Sequence, residues 1–361
     1  MKTIALAVLV LASSIGLANA QEVPSGYPSE YQQIIDAAKA EGEVVIYSNM
    51  SAKQWQPFLN LAATRYPWLS IQVTDSGDDM WEKYYAESGS GATTADLMLT
   101  NSVDRWPVFV ERGQVDAYVS AEAAALPEWS VPFPGVYTVS ADPTVFVYNK
   151  ALIEQYGGIP KSRADILKLA KAHPELKGRI ATIDPTGGGL ALGAFWTLTE
   201  ARPETWALLE EIGPYLRPER SSGTVREKVT SGEYVLALLS SGAGIPDYEL
   251  PEAKPIVGYG FPSDGEPISM RNVAVTKAAS HPNAARVVLD LLLSKQGSLA
   301  LAEQGQFPYR DDIGEAEAPY VTYASLRALI GEENLILIKP DAALAKKREA
   351  FIARWQTALG R

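Results

Sequence analysis

Residues 43–76 read EVVIYSNMSAKQWQPFLNLAATRYPWLSIQVTDS, and three segments, strand, helix and strand, follow one another in them. EVVIYS is a short apolar run rich in β-branched residues, which predicts a buried strand over 44–47. SAKQWQPFLNLAATRYP carries the helical period and has to stop before Pro67. LSIQVTDS is a second strand. Downstream, DDMWEKYYAES (78–88) has helical spacing and ADLMLT (95–100) is again strand-like. Upstream, residues 30–42 read as a helix with Ile34, Ile35 and Ala38 on one face, Ser29 as its cap and Gly42 as its stop. The order β-α-β-α-β predicts a parallel sheet with helices on its faces.

The pattern resumes in the second half. GRIATID (178–184) and YVLALLS (234–240) are strands, while residues 187–201, 204–216 and 224–232 are helical. Between the halves lies an extended, β-rich piece, YTVSADPTVFVYNKALI (137–153). KPIVGYGFP (254–262) and RNVAVTK (271–277) are strands able to carry the chain back. A long interrupted helical segment covers 283–305, and an amphipathic helix covers 342–359. This order predicts two α/β lobes joined by more than one crossing strand. A cleft between such lobes is a natural small-molecule site. The division drawn is 21–140 plus 272–312 for lobe 1 and 141–271 plus 313–361 for lobe 2. The hinge is placed at 138–148 and 266–276.

The N-terminus has Lys2, an apolar run over 4–17 and Ala-Asn-Ala at 18–20, the plan of a signal peptide cleaved after Ala20. The run is too short for a membrane span. The chain has no cysteine, which excludes disulfides, thiolate metal sites, thiol nucleophiles and a lipid-bearing N-terminal cysteine. The expected product is a soluble periplasmic monomer without membrane insertion. A formal charge of −11 argues against nucleic acid as a partner, although a local site can still be positive.

Signals for catalysis are thin. Each of the two histidines, His173 and His281, precedes a proline and reads as a loop or helix-start residue. No H-E-x-x-H, G-x-S-x-G or P-loop pattern occurs. DPTGGGLALG brings glycines between a strand and a helix, but Leu192 stands where a dinucleotide fingerprint needs its third glycine. Backbone N–H groups at such a helix start attract anions, which makes Thr186, Gly187 and Gly188 candidates; a plain cap and turn fits the same residues. Similar strand-to-helix junctions carry Ser48, Asn49 and Ser51; Thr100, Asn101 and Ser102; and Ser221, Ser222 and Thr224. Each alone is as well explained by capping. Together, in both lobes, they predict a donor-rich cleft at the strand ends. Arg271 supplies either a fixed bidentate charge facing that cleft or a surface ion pair. Tyr148 is placed on the hinge, facing the cleft. Trp81, Trp106 and Trp196 lie near the same junctions and offer stacking surfaces for a sugar, or serve as core and rim.

The ordered set AAKAEGEVVIYSNMS, ADLMLTNSVDRW, PTVFVYNKALI, GRIATIDPTGGG, VTSGEYVLALLSSGAGI and NVAVTKAASHPNAARVVLDLLLSKQG resembles the periplasmic solute-binding proteins of ABC importers, and among them the ferric-iron-binding type. The resemblance covers almost the whole mature chain. It implies a type II periplasmic binding fold, a hinge between lobes and delivery of a solute to an ABC permease in the inner membrane. In the iron binders, tandem tyrosines follow the segment matching SGEYVLALL; here that place reads Ser240-Ser241-Gly242-Ala243-Gly244. Tyr84 and Tyr85 are adjacent, but on a helix neighbours point about 100° apart and do not readily chelate one ion. The expected ligand is therefore a small organic anion (a phosphorylated sugar, a phosphonate or a carboxylate), with no cofactor, no metal and no catalysis. A polyamine would call for cleft carboxylates, for which Asp184 and Asp247 stand isolated. Ferric iron transport and a periplasmic hydrolase of small anionic substrates are the alternatives. Docking of the closed form on a membrane receptor is a third role that sequence does not separate from transport.

Overall fold

The computed structural model describes residues 23–187 and 189–361. The signal peptide at 1–20 and Gly188 lie outside the described residues. Ten strands form one continuous curled sheet: β1 Glu43–Ser48, β2 Ser70–Asp75, β3 Leu97–Thr100, β4 Val136–Asn149, β5 Ile180–Ile183, β6 Leu216–Glu219, β7 Leu236–Ser241, β8 Val257–Gly260, β9 Glu266–Val275 and β10 Leu335–Ile338. The same plan is used twice. In the first lobe β2, β1 and β3 are parallel, then β9 and β4 follow antiparallel. In the second lobe β6, β5 and β7 are parallel, then β4 and β8 follow antiparallel. Strand β4 thus serves both halves, and β10 adds to the first residues of β9.

Burial follows from this plan. The first lobe packs Trp55, Phe58, Leu97, Leu99 and the apolar face of the helix Pro282–Leu293 into one core. Trp81, Tyr84, Trp106 and Phe109 fill the other face of its sheet. The second lobe has its own core around Phe195, Leu209, Leu238 and Trp355. All fourteen residues of β4 are buried, as a strand that runs through both sheets must be.

The crossing is irregular. The register of β4 slips between Thr138 and Ser140 against β9, and again between Val145 and Val147 against β7. Such bulges bend a strand and let it leave one sheet for the next. A third segment runs alongside: Ala141 N–H donates to Phe307 O at 3.1 Å, and Phe307 N–H donates to Asp142 Oδ1 at 2.8 Å. Away from the crossing, Asp341 N–H of the second lobe donates to Val103 O at 3.0 Å, and Arg348 pairs with Asp104 at 2.9 Å.

The local expectations hold with two corrections. The first helix is Tyr31–Glu41, ended by Gly42 in the left-handed region at φ 73°. Its cap position is Glu30, with no side-chain cap bond, and the Ser29 hydroxyl donates to Glu30 instead. Strands β6 and β10 are not among those expected from the sequence. Pro218 interrupts the pattern of β6, and proline is tolerated there because β6 is an edge strand.

Candidate functional site

A cavity of about 620 Å³ opens between the lobes. It is lined from the carboxyl ends of all six parallel strands. Asn49 and Ser51 follow β1, Asp75 ends β2 and Asn101 follows β3. Gly189 and Leu190 follow β5, Ser221 to Gly223 follow β6, and Ser241, Ala243 and Gly244 end and follow β7. Ligands of open α/β sheets bind at this edge because helices begin there with unpaired N–H groups. Three helices start at the cavity: Ala52–Arg65, Gly189–Ala201 and Ser222–Thr230. Their dipoles favour negative charge at the same place.

Arg271 of β9 forms the base. It is 7 % exposed, so it is not a surface ion pair. Its Nε donates to Gln306 at 3.0 Å and its Nη1 to Asn49 Oδ1 at 2.5 Å. A guanidinium has five N–H donors; those on Nη2 have no protein acceptor among the described residues. Asp142 lies 3.7 Å from Nε. Burial pushes the Asp142 carboxyl up, against the opposing pull of Arg271. Asn49 also donates to Asn101 at 2.8 Å, and Asn101 donates to Ser269 of β9 at 3.1 Å. The polar floor is therefore fixed by a network running from the crossing strand to two junctions of the first lobe.

Of the residues expected from sequence, Asn49, Ser51, Asn101, Ser221, Ser222 and Arg271 line the cavity. The others do not. The Ser48 hydroxyl is fully buried and accepts from Met50 N–H and Trp55 Nε1. Thr100 and Ser102 pair their hydroxyls at 3.0 Å, and Ser102 donates to Asp78 at 2.6 Å. Thr224 is tied to the Ser221 hydroxyl. Thr186 and Gly187 lie exposed in the turn Pro185–Gly187, where Thr186 N–H donates to Asp184. Tyr148 is buried in the second lobe with its ring over Gly258. It sits six residues beyond Asp142, roughly 20 Å along the strand. Trp81, Trp106 and Trp196 are buried in the lobe cores, away from the cavity.

Lys53, Gln54, Asp75, Arg226 and Gln304 also line the cavity and carried no sequence signal. Asp247, which sequence showed as an isolated carboxylate, is at the same wall. Tyr84 is fully buried and donates to Gln114 at 3.1 Å; Tyr85 stacks under Arg112. Neither lines the cavity, nor does any other tyrosine among the described residues. Neither histidine is there: His281 lies 3.0 Å from Asp96 and 3.4 Å from Glu43, and His173 is 3.3 Å from Glu175.

The sequence pattern of the family described as bacterial extracellular solute-binding protein matches residues 48–298. The chain belongs to this family. Its members capture solutes outside the cytoplasm, and the cleft has the position and size for that work. No helix among the described residues is long and apolar enough to cross a membrane. Among solved structures, the substrate-binding protein of an ABC transporter from Agrobacterium tumefaciens superposes with a TM-score of 0.78 at 24 % identity, over 90 % of this chain and 97 % of that one. Iron-bound HitA from Pseudomonas aeruginosa gives 0.68 at 17 %, over 88 % and 99 %. AfuA from Actinobacillus pleuropneumoniae with fructose-6-phosphate bound gives 0.67 at 19 %, over 89 % and 99 %. These likenesses show the two-lobed periplasmic-binding fold. Among curated proteins, none matches the chain.

Proposed function

We propose that this solute-binding protein captures a small organic anion, such as a phosphorylated sugar, a phosphonate or a carboxylate, and hands it to an ABC permease in the inner membrane. The observation that carries the reading is the convergence of three helix N-termini on one cavity whose base is a buried arginine. An anion there gains N–H donors, the helix dipoles and the free Nη2 hydrogens of Arg271 together. Donors from both lobes meet on one solute, so binding favours closure by its differential affinity. β4 and β9 are the hinge in this reading, and capture proceeds without chemistry.

Ferric iron is the competing solute, since proteins of the same fold bind it. A ferric site needs several hard anionic oxygens held together. The cavity offers the carboxylates Asp75 and Asp247, and Asp247 is already paired with Lys53 and Arg226. The place where the iron binders carry tandem tyrosines holds Ser241, Ala243 and Gly244 in the cavity wall. A thermal-shift screen with phosphate esters, phosphonates, carboxylates, polyamines and ferric iron decides the matter. A shift from one anion class supports the reading. A shift from iron alone, with a phenolate colour, defeats it, and turnover of a bound ester would restore the hydrolase alternative.

A further inference from the structure

One ion-pair cluster in the cleft needs no solute to form. Asp247 lies in the short helix Ile245–Tyr248 on the wall of the second lobe. Its Oδ1 accepts from Lys53 Nζ at 2.7 Å, and Lys53 belongs to the helix Ala52–Arg65 of the first lobe. Its Oδ2 is paired with Arg226 of the helix Ser222–Thr230. All three residues line the cavity. One carboxylate therefore ties together cations from opposite lobes.

We propose that Lys53, Asp247 and Arg226 form a clasp that biases the empty cleft toward its closed form. The two arms differ. Arg226 and Asp247 sit in the same lobe, so their pair survives opening and keeps the carboxylate aimed. Only the Lys53 arm breaks when the lobes part. The Lys53 side chain is 63 % exposed and that of Asp247 26 %, so water screens the bridge. An exposed pair of this kind shifts an equilibrium by roughly two- to five-fold. That is enough to bias closure and too little to prevent reopening. The clasp also divides the cavity charge: Asp247 holds Lys53 and Arg226, which leaves the free Nη2 of Arg271 as the cationic donor for a solute.

The inference goes beyond the anion reading and does not depend on it, because the test uses no solute. The chain has no cysteine, so Ala63→Cys and Glu227→Cys give two unique labelling sites on exposed positions of the two helices. Pulsed electron spin resonance on protein unfolded and refolded to strip any solute then reads the distance between lobes. The native background should show a closed-to-open ratio that falls about two- to five-fold in both Lys53→Met and Asp247→Asn. Salt at ~1 M should lower the closed fraction more in the native background than in the variants, since the Arg348–Asp104 pair between the lobes is common to all three. Identical distance distributions in all three proteins overturn the proposal. So does opening in Asp247→Asn with none in Lys53→Met, since that marks a local effect within the second lobe. Lys53 is exposed, so its substitution leaves folding intact and the comparison stands even where Asp247→Asn folds poorly.

Discussion

Replacing Arg271 by methionine separates what this residue does for the solute from what it does for the fold. Hydrogen bonds to a charged group contribute about 1.5–3 kcal/mol. If the free Nη2 hydrogens meet an anion, losing them weakens binding by roughly 10- to 150-fold. The same change also harms the protein. Asp142, 4 % exposed, faces Nε at 3.7 Å and would stay buried without its cation. Breaking a buried pair costs ~3–5 kcal/mol. Here the separation is long, and Asp142 keeps Phe307 N–H at 2.8 Å and the Ser140 hydroxyl at 2.9 Å, which places the loss at the low end. The double variant Arg271→Met with Asp142→Asn removes the cation and its buried carboxylate together. Calorimetric titration with the anion giving the largest thermal shift, alongside melting curves, reads both effects. The single variant should lose affinity and Tm. The double variant should recover most of the Tm and none of the affinity. Native affinity in the double variant would refute the placement of Arg271 against the solute.

Asp290 is buried in the first lobe, accepts from Ser120 at 2.5 Å and Tyr118 at 2.7 Å, and is pushed up from 3.8 to about 6 by burial. Its folded pKa exceeds its unfolded one, so its stabilising contribution is whole below pH 3.8 and is lost as pH rises through about 6. Asp290→Asn should flatten the dependence of Tm on pH across that window; an unchanged slope contradicts the assignment. A Cβ at Gly297 would meet Leu291 O at 1.8 Å, where the helices Pro282–Leu293 and Lys295–Ala302 join. Gly297→Ala should therefore destabilise by about 1–3 kcal/mol or more, read as a lower denaturant midpoint. Tyr84→Phe and Tyr85→Phe should leave solute affinity unchanged, with Tyr84→Phe losing ~1 kcal/mol of stability through its bond to Gln114. A tenfold loss of affinity in either would return the tyrosines to the ligand site.

The alternation of periods made most of the fold legible. Buried strands such as β1 and β3 are continuous apolar runs bounded by polar junctions, and the helices between them keep an apolar face. What escaped was short or locally inconsistent. β6 contains Pro218, and β10 is an apolar run, LILI, that periodicity alone does not assign to strand or helix. The double use of β4 was also hidden, because fourteen buried residues read alike whichever sheet they pair with.

The site was legible as junctions and illegible as contacts, for a reason that the first lobe makes plain. Successive side chains at a strand end point to opposite sides. At the end of β1 the Ser48 hydroxyl turns inward to Met50 and Trp55, and Asn49 turns to the cavity. At the end of β3 Thr100 turns inward to Ser102, and Asn101 turns to the cavity. One polar residue of each pair satisfies the turn that lets its neighbour face the cleft. Composition counts both as candidates, while geometry admits one. The charged lining of Lys53 and Arg226 escaped, and Asp247 showed only as an isolated carboxylate, for a different reason. Each sits one or more residues inside a helix, where a charge ordinarily means a solvated face. Only the approach of the opposite lobe makes Lys53 a partner of Asp247, so that contact belongs to the arrangement of the two halves and to no local stretch of the chain.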